Sequence, residues 1–121
     1  MTEFKRHNFK KLKIWQMAMD VSKVILDLTD TFPISEKFGL KSQMDRSTVS
    51  MPSNIAEGSS RTNKSFSHFL DISLGSSFEL QTQLLLANHR KYLTDEFLNQ
   101  IEIKIEEFQK ATMSFQNTLN K

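Results

Sequence analysis

The chain has 121 residues, one domain's worth, and a formal net charge of +2, too mild to imply nucleic acid unless the basic residues cluster. The absence of cysteine excludes disulfides, thiolate catalysis and cysteine-based zinc sites. Three glycines and two prolines leave little material for turns, while ten phenylalanines supply a heavy apolar payload, each burying roughly 150–250 Å². With no signal-like segment and no long apolar run, the expected protein is soluble and cytoplasmic, with no membrane partner.

In chain order, residues 1–8 read as a basic arm with Asn8 as an N-cap, and residues 9–121 as a single helical domain. From Phe9 to about Phe32, the residues Leu12, Trp15, Met19, Ile25, Leu28 and Phe32 keep helical spacing. Ile14, Met17, Ala18, Val21 and Val24 widen that stripe beyond one core seam. Phe32-Pro33 closes the first helix, and Ser35-Glu36-Lys37 opens the second.

Along the second helix, Leu40, Met44, Ser47, Met51 and Ile55 form one narrow stripe, interrupted by Pro52. Proline removes the donor for the Thr48 carbonyl and crowds it, so a kinked helix is expected, with Ser47, Ser50 and Ser53 placed to compensate. The alternative is two short helices with a loop at Pro52. Gly58 suits the left-handed residue that ends a helix. After the polar link 59–64, a third helix runs from about Ser65 to Leu93 with Phe66, Phe69, Leu70, Ser73, Ser77, Leu80, Leu84 and Ala87 on one side. Thr94 caps a fourth, whose stripe is Phe97, Ile101, Ile105, Phe108, Thr112, Phe115 and Leu119. Four long helices with short links give an all-α, antiparallel up-down-up-down four-helix bundle. Surplus apolar surface on the first helix, and on the third through Ile72, Leu74, Phe78 and Leu85, points to a homo-oligomer.

Several runs carry a family resemblance: Leu12-Lys13-Ile14-Trp15-Gln16, Thr31-Phe32-Pro33, Phe38-Gly39-Leu40-Lys41-Ser42-Gln43, and above all Pro52-Ser53-Asn54-Ile55-Ala56-Glu57-Gly58. With Phe69-Leu70, Gly75-Ser76, Glu79-Leu80 and Tyr92-Leu93 they span nearly the whole chain. The chain resembles the S23-like four-helix bundle proteins encoded in intervening sequences of bacterial 23S rRNA genes. That resemblance implies a pentameric barrel. It extends to the accessory variability determinant of diversity-generating retroelements, which implies a reverse transcriptase or another RNP protein as partner. Asp45-Arg46 departs from the two basic residues the family tends to place there, which removes positive charge at a candidate contact.

Three charged residues, Arg46, Glu57 and Glu79, fall in or beside apolar stripes. Arg46 and Glu57 lie about three turns apart on one helix, too far to touch, so each needs a partner on another helix or subunit. A structural polar network with Glu79 paired to Arg46 is expected, because a charge left alone in such a setting costs several kcal/mol. A catalytic or metal-binding acid pair of Glu57 and Glu79 has no histidine at ligand spacing to support it. His7, His68 and His89 are scattered and read as surface or rim residues rather than ligands. No catalytic residue, metal or cofactor is expected.

Lys5, Arg6, Lys10, Lys11 and Lys13 make the N-terminus positive, and in an up-down-up-down bundle Arg61, Lys64 and Lys121 join them at one end. Asp27, Asp30, Glu36, Asp95 and Glu96 fall at the other. The expected function is non-enzymatic. A homo-oligomer binds RNA or DNA backbone, single-stranded DNA included, without sequence preference, through its basic pole, with Phe4, Phe9 and Phe66 near enough to stack on unpaired bases. The competing readings are a solvated lysine-rich tail and a protein-interaction scaffold that binds no nucleic acid.

Overall fold

Apolar side chains at helical spacing produce four α-helices and no strand among residues 7–120, the part of the chain that the computed structural model describes. They are α1 Lys13–Thr29, α2 Leu40–Gly58, α3 Asn63–His89 and α4 Asp95–Leu119, arranged as a four-helix bundle. The α2–α3 pair packs most extensively, followed by α1–α2, α3–α4 and α1–α4.

Local chemistry sets most boundaries, and several differ from the expected ones. Asn8 caps a 3-10 turn at Phe9–Lys11 rather than α1 itself. Pro33 cannot continue a helix, so α1 stops at Thr29, and a second 3-10 turn, Ile34–Glu36, delays α2 from Ser35 to Leu40. Thr62 Oγ1 accepts from the Ser65 amide at 3.3 Å and starts α3 earlier than Ser65. Lys91, at φ 64°, turns the chain into the left-handed region, and the Tyr92 amide then donates back to the Ala87 carbonyl at 3.0 Å. That closure ends α3 at His89, short of Leu93. Thr94 Oγ1 accepts from the Phe97 amide at 3.1 Å and caps α4 as expected.

Most of the stripes read from the sequence on α2, α3 and α4 enter the core: Met44, Met51, Ile55, Phe66, Leu70, Leu80, Leu84, Ile105 and Phe108 are fully buried, whereas Phe69, Phe97, Phe115 and Leu119 are half-buried, and Leu74, expected on the surface, is buried. On α1 the core face is instead Ile14, Ala18, Val21, Ser22 and Ile25. Trp15 and Met19, read as part of the main seam, stand half-buried at its edge.

Helix α2 continues unbroken through Pro52, so the two-helix alternative does not hold. The donor that Pro52 removes is replaced from a different helix. Ser22 Oγ donates to the Thr48 carbonyl at 2.8 Å, and Thr48 Oγ1 donates back to Ser22 Oγ at 3.1 Å, both inside the core. The expected local compensation by Ser47, Ser50 and Ser53 is therefore corrected. Ser53 is exposed, and Ser50 bonds to Ser76 and Asn54. Gly58 does not carry a positive φ either. Its need is steric, since a Cβ there would lie 2.7 Å from Phe69 Cβ and 2.8 Å from Phe66 Cδ1.

Two outcomes follow for urea unfolding. Ser22→Ala orphans the buried Thr48 carbonyl and should cost about 1–3 kcal/mol, whereas Ser53→Ala should change little. Gly58→Ala should cost about 1–3 kcal/mol by overpacking, where a purely conformational role at negative φ would predict stabilisation.

Candidate nucleic-acid interface

The start of the chain, the α2–α3 link and the end of α4 meet at one end of the bundle. The His7 amide donates to the Ser59 carbonyl at 3.1 Å, and the His7 ring packs 5.3 Å from Phe66 and 6.0 Å from Phe115. His7 is thus half-buried and docked at the rim of the bundle. Lys5, Arg6 and Phe4 lie outside the described residues, as does Lys121. Lys10, Lys11, Lys13 and Lys64 are exposed, and among the described residues no ion pair engages them. Arg61 is exposed as well. It reaches Glu57 at 3.4 Å, and its guanidinium lies 5.4 Å from the Phe69 ring centre.

Two helices, α1 and α3, begin at this end, and neither has an acidic residue in its first turn. Their unpaired amides and dipoles add positive potential to the lysines. By contrast α4, which starts at the other end, carries Asp95 and Glu96 in its first turn.

That other end is mixed rather than acidic, which corrects the expected polarity. Lys41 Nζ bridges Asp30 at 3.1 Å and Asp45 at 3.0 Å, and Lys37, Arg90 and Lys91 stand close by. Asp45 also accepts a short hydrogen bond from the buried Thr29 hydroxyl. Its carboxylate joins α1 to α2, a structural task that a basic residue could not perform. Glu36 ties the two links of this end together. Its Oε1 accepts from the Leu40 amide at 3.1 Å, capping α2, and its Oε2 accepts from the Tyr92 hydroxyl at 2.8 Å.

The expected network of Arg46, Glu57 and Glu79 is not formed within the chain. All three are exposed; Glu57 pairs with Arg61, and among the described residues no ion pair links Arg46 to Glu79. Their charges point outward from α2 and α3 because the inter-helix positions are taken by small residues. Ser73 Oγ donates to the Met51 carbonyl at 2.8 Å, and Ser50 meets Ser76 at 2.8 Å. Phe66, being fully buried, cannot stack on a base, while Phe9 is half-buried. Sequence reasoning missed Trp15, half-buried a few residues beyond the lysines of the first turns, and Phe69, half-buried beneath Arg61; their places at the edges of helical stripes were the available signal. No cluster of His, Asp and Glu among the described residues is arranged to hold a metal ion, and no described helix is long and apolar enough to cross a membrane.

Fold and surface together define a small helical-bundle protein with a lysine-rich end. The chain belongs to the 23S rRNA-intervening sequence protein family, whose profile matches residues 10–114. Its fold is similar to that of a protein of unknown function from the S23 ribosomal protein family of Bacteroides thetaiotaomicron VPI-5482. The two are 24% identical over 86% of this chain and 95% of that one, with a TM-score of 0.79, and the likeness shows the fold alone. No curated protein matches the chain.

The Glu36 contacts have a pH signature. The Tyr92 hydroxyl, then the Leu40 amide, hold the Glu36 carboxyl below its ordinary value. The unfolded chain therefore binds this proton more readily, so the stabilisation is complete above the ordinary carboxylate value and is lost as pH falls through the lowered one. Thermal melts from about pH 6 to about pH 3 should show a shallower acid loss for Tyr92→Phe than for the parent, from a lower starting point at pH 6.

Proposed function

We propose that the protein is a non-enzymatic homo-oligomer that captures the backbone of RNA or DNA at its lysine-rich end, without sequence preference. The observation that carries this reading is the convergence of exposed Lys10, Lys11, Lys13 and Lys64, unpaired among the described residues, with Arg61 and two acid-free helix starts. Lysine at a helix start opposes the helix dipole, so its placement there favours a phosphate ligand over helix stability. On this reading a reverse transcriptase or another RNP protein is a further partner, by the resemblance to accessory variability determinants.

The subunit is an antiparallel, up-down-up-down bundle, as the contacts between helices support: Ser22 meets Thr48 while Thr29 meets Asp45, and Gln109 meets Ser77 while Gln116 meets Ser67. Assembly, five-fold by family resemblance, is supported by apolar side chains left in water. Ile72, Phe78, Leu85 and Leu86 are exposed on α3, and Gly75 among them faces open space where another backbone can approach. Arg46 and Glu79 then find partners between subunits. A second reading, a protein-interaction scaffold without nucleic acid, is favoured by Ile34 and Phe38. These are 88% and 89% exposed, at the end away from the lysines.

Filter binding across a salt series tests the first reading. Affinity should fall steeply with salt. Replacing Lys10, Lys11, Lys13, Arg61 and Lys64 by Gln should abolish binding with helicity intact, or flatten the slope of log affinity against log salt by about 0.7 for each single-strand phosphate no longer neutralised. Binding that ignores salt, or none at low salt, rejects it in favour of the scaffold. Light scattering should give a multiple of the 14.1 kDa chain mass, reduced by Phe78→Asp; a mass near that of one chain refutes assembly.

A further inference from the structure

Resting on the nucleic-acid reading, we propose that the ligand is single-stranded and that its unpaired bases stack on two aromatic platforms set among the basic residues. The first is Trp15, which meets Phe9 edge-on at 5.3 Å in the opening turns of the chain. Trp15 lines one end of an apolar groove of about 340 Å³ between α1 and α2, with Pro52 and Ala56 opposite and Lys23 along it. Lys10, Lys11 and Lys13 lie in the turn that joins Phe9 to Trp15, and the Gln16 side chain fixes that turn by donating to the Lys10 carbonyl at 2.9 Å. The second platform is Phe69 in α3, with the Arg61 guanidinium 5.4 Å from its ring centre and the His68 ring at 6.1 Å.

Both platforms flank the last turns of α2. Ala56 lines the groove beside Trp15, and Gly58 lies hard against Phe69. Each of the two residues is half-buried, so packing holds it in place while part of it remains accessible. Lysines supply attraction for phosphate, and the rings supply what a backbone alone does not need: surfaces for bases. A base in a duplex is already stacked on both sides and offers no face, so platforms of this kind discriminate in favour of single strands. Lys23 in the wall of the groove, with Lys10, Lys11 and Lys13 in the turn that leads to Trp15, places positive charge beside an apolar surface, the combination that a nucleotide's phosphate and base require. Arg61 extends the second platform, since a guanidinium plane stacks on a base as an aromatic ring does.

Trp15 is the chain's one tryptophan, so its emission reports directly on the first platform. The intact protein is titrated with an oligothymidylate, the matching oligouridylate, and a duplex of the same length. Single strands should quench Trp15 and bind about tenfold or more tighter than the duplex. The larger quench distinguishes DNA from RNA as the natural strand, and either supports stacking. Phe69→Ala should weaken single-strand binding about 5- to 100-fold, and duplex binding by a much smaller factor. Phe69→Leu, which retains an apolar side chain but no aromatic face, should do the same if Phe69→Ala loses helicity. Equal affinity for strand and duplex with unchanged emission overturns stacking while leaving backbone capture intact. No binding to any of the three at low salt overturns both. Emission that responds to dilution of the protein and not to strands assigns the groove to a second copy of the chain, and also overturns the proposal.

Discussion

The backbone carbonyl of Thr48 is the constraint on which the packing of this bundle turns. Pro52 lies on the buried side of α2, where water cannot supply the missing donor. An unmet carbonyl there costs about 1–3 kcal/mol, a large share of the stability of a small domain. Ser22 meets it, and in doing so sets the register of α1 against α2. Once that register is fixed, Thr29 falls opposite Asp45, and Lys41 falls between Asp45 and Asp30. A defect within one helix thus becomes a specific bond between two.

Small side chains perform the corresponding task between α2 and α3. Ser50, Ser73 and Ser76 let the two helices come close, and their hydroxyls satisfy one another and the Met51 carbonyl. Gly58 leaves room for Phe66 and Phe69, which a Cβ there would meet. Phe66 is thereby sealed inside with His7 and Phe115 against it, while Phe69 stays at the rim. Close packing around Gly58 therefore decides which aromatic rings remain accessible at the lysine-rich end.

Charge follows a different logic at the two ends. At one, Asp30, Glu36 and Asp45 are engaged by Lys41, Tyr92 and backbone amides, and they fasten the links between helices. At the other, Lys10, Lys11, Lys13 and Lys64 have no such engagement among the described residues. Charges used for folding are paired and partly covered. Unpaired lysines beside helix starts that repel them contribute nothing of that kind, and this contrast is the physical basis for reading that end as a binding surface.

Periodicity, capping chemistry and turn residues were enough to read four helices, the Thr94 cap and most of the stripes of α2 to α4. All of these depend on neighbours within a few residues. The position of the lysines along the chain was equally plain. Tertiary structure alone decided which face of α1 enters the core, because its apolar stripe is wide enough to offer two. It alone decided that Ser22 answers Thr48, that Gly58 is needed for clearance rather than for its φ, and that Arg46 and Glu79 face outward. Each of these depends on the distance between atoms far apart in sequence, and no local pattern encodes such a distance until the helices have packed.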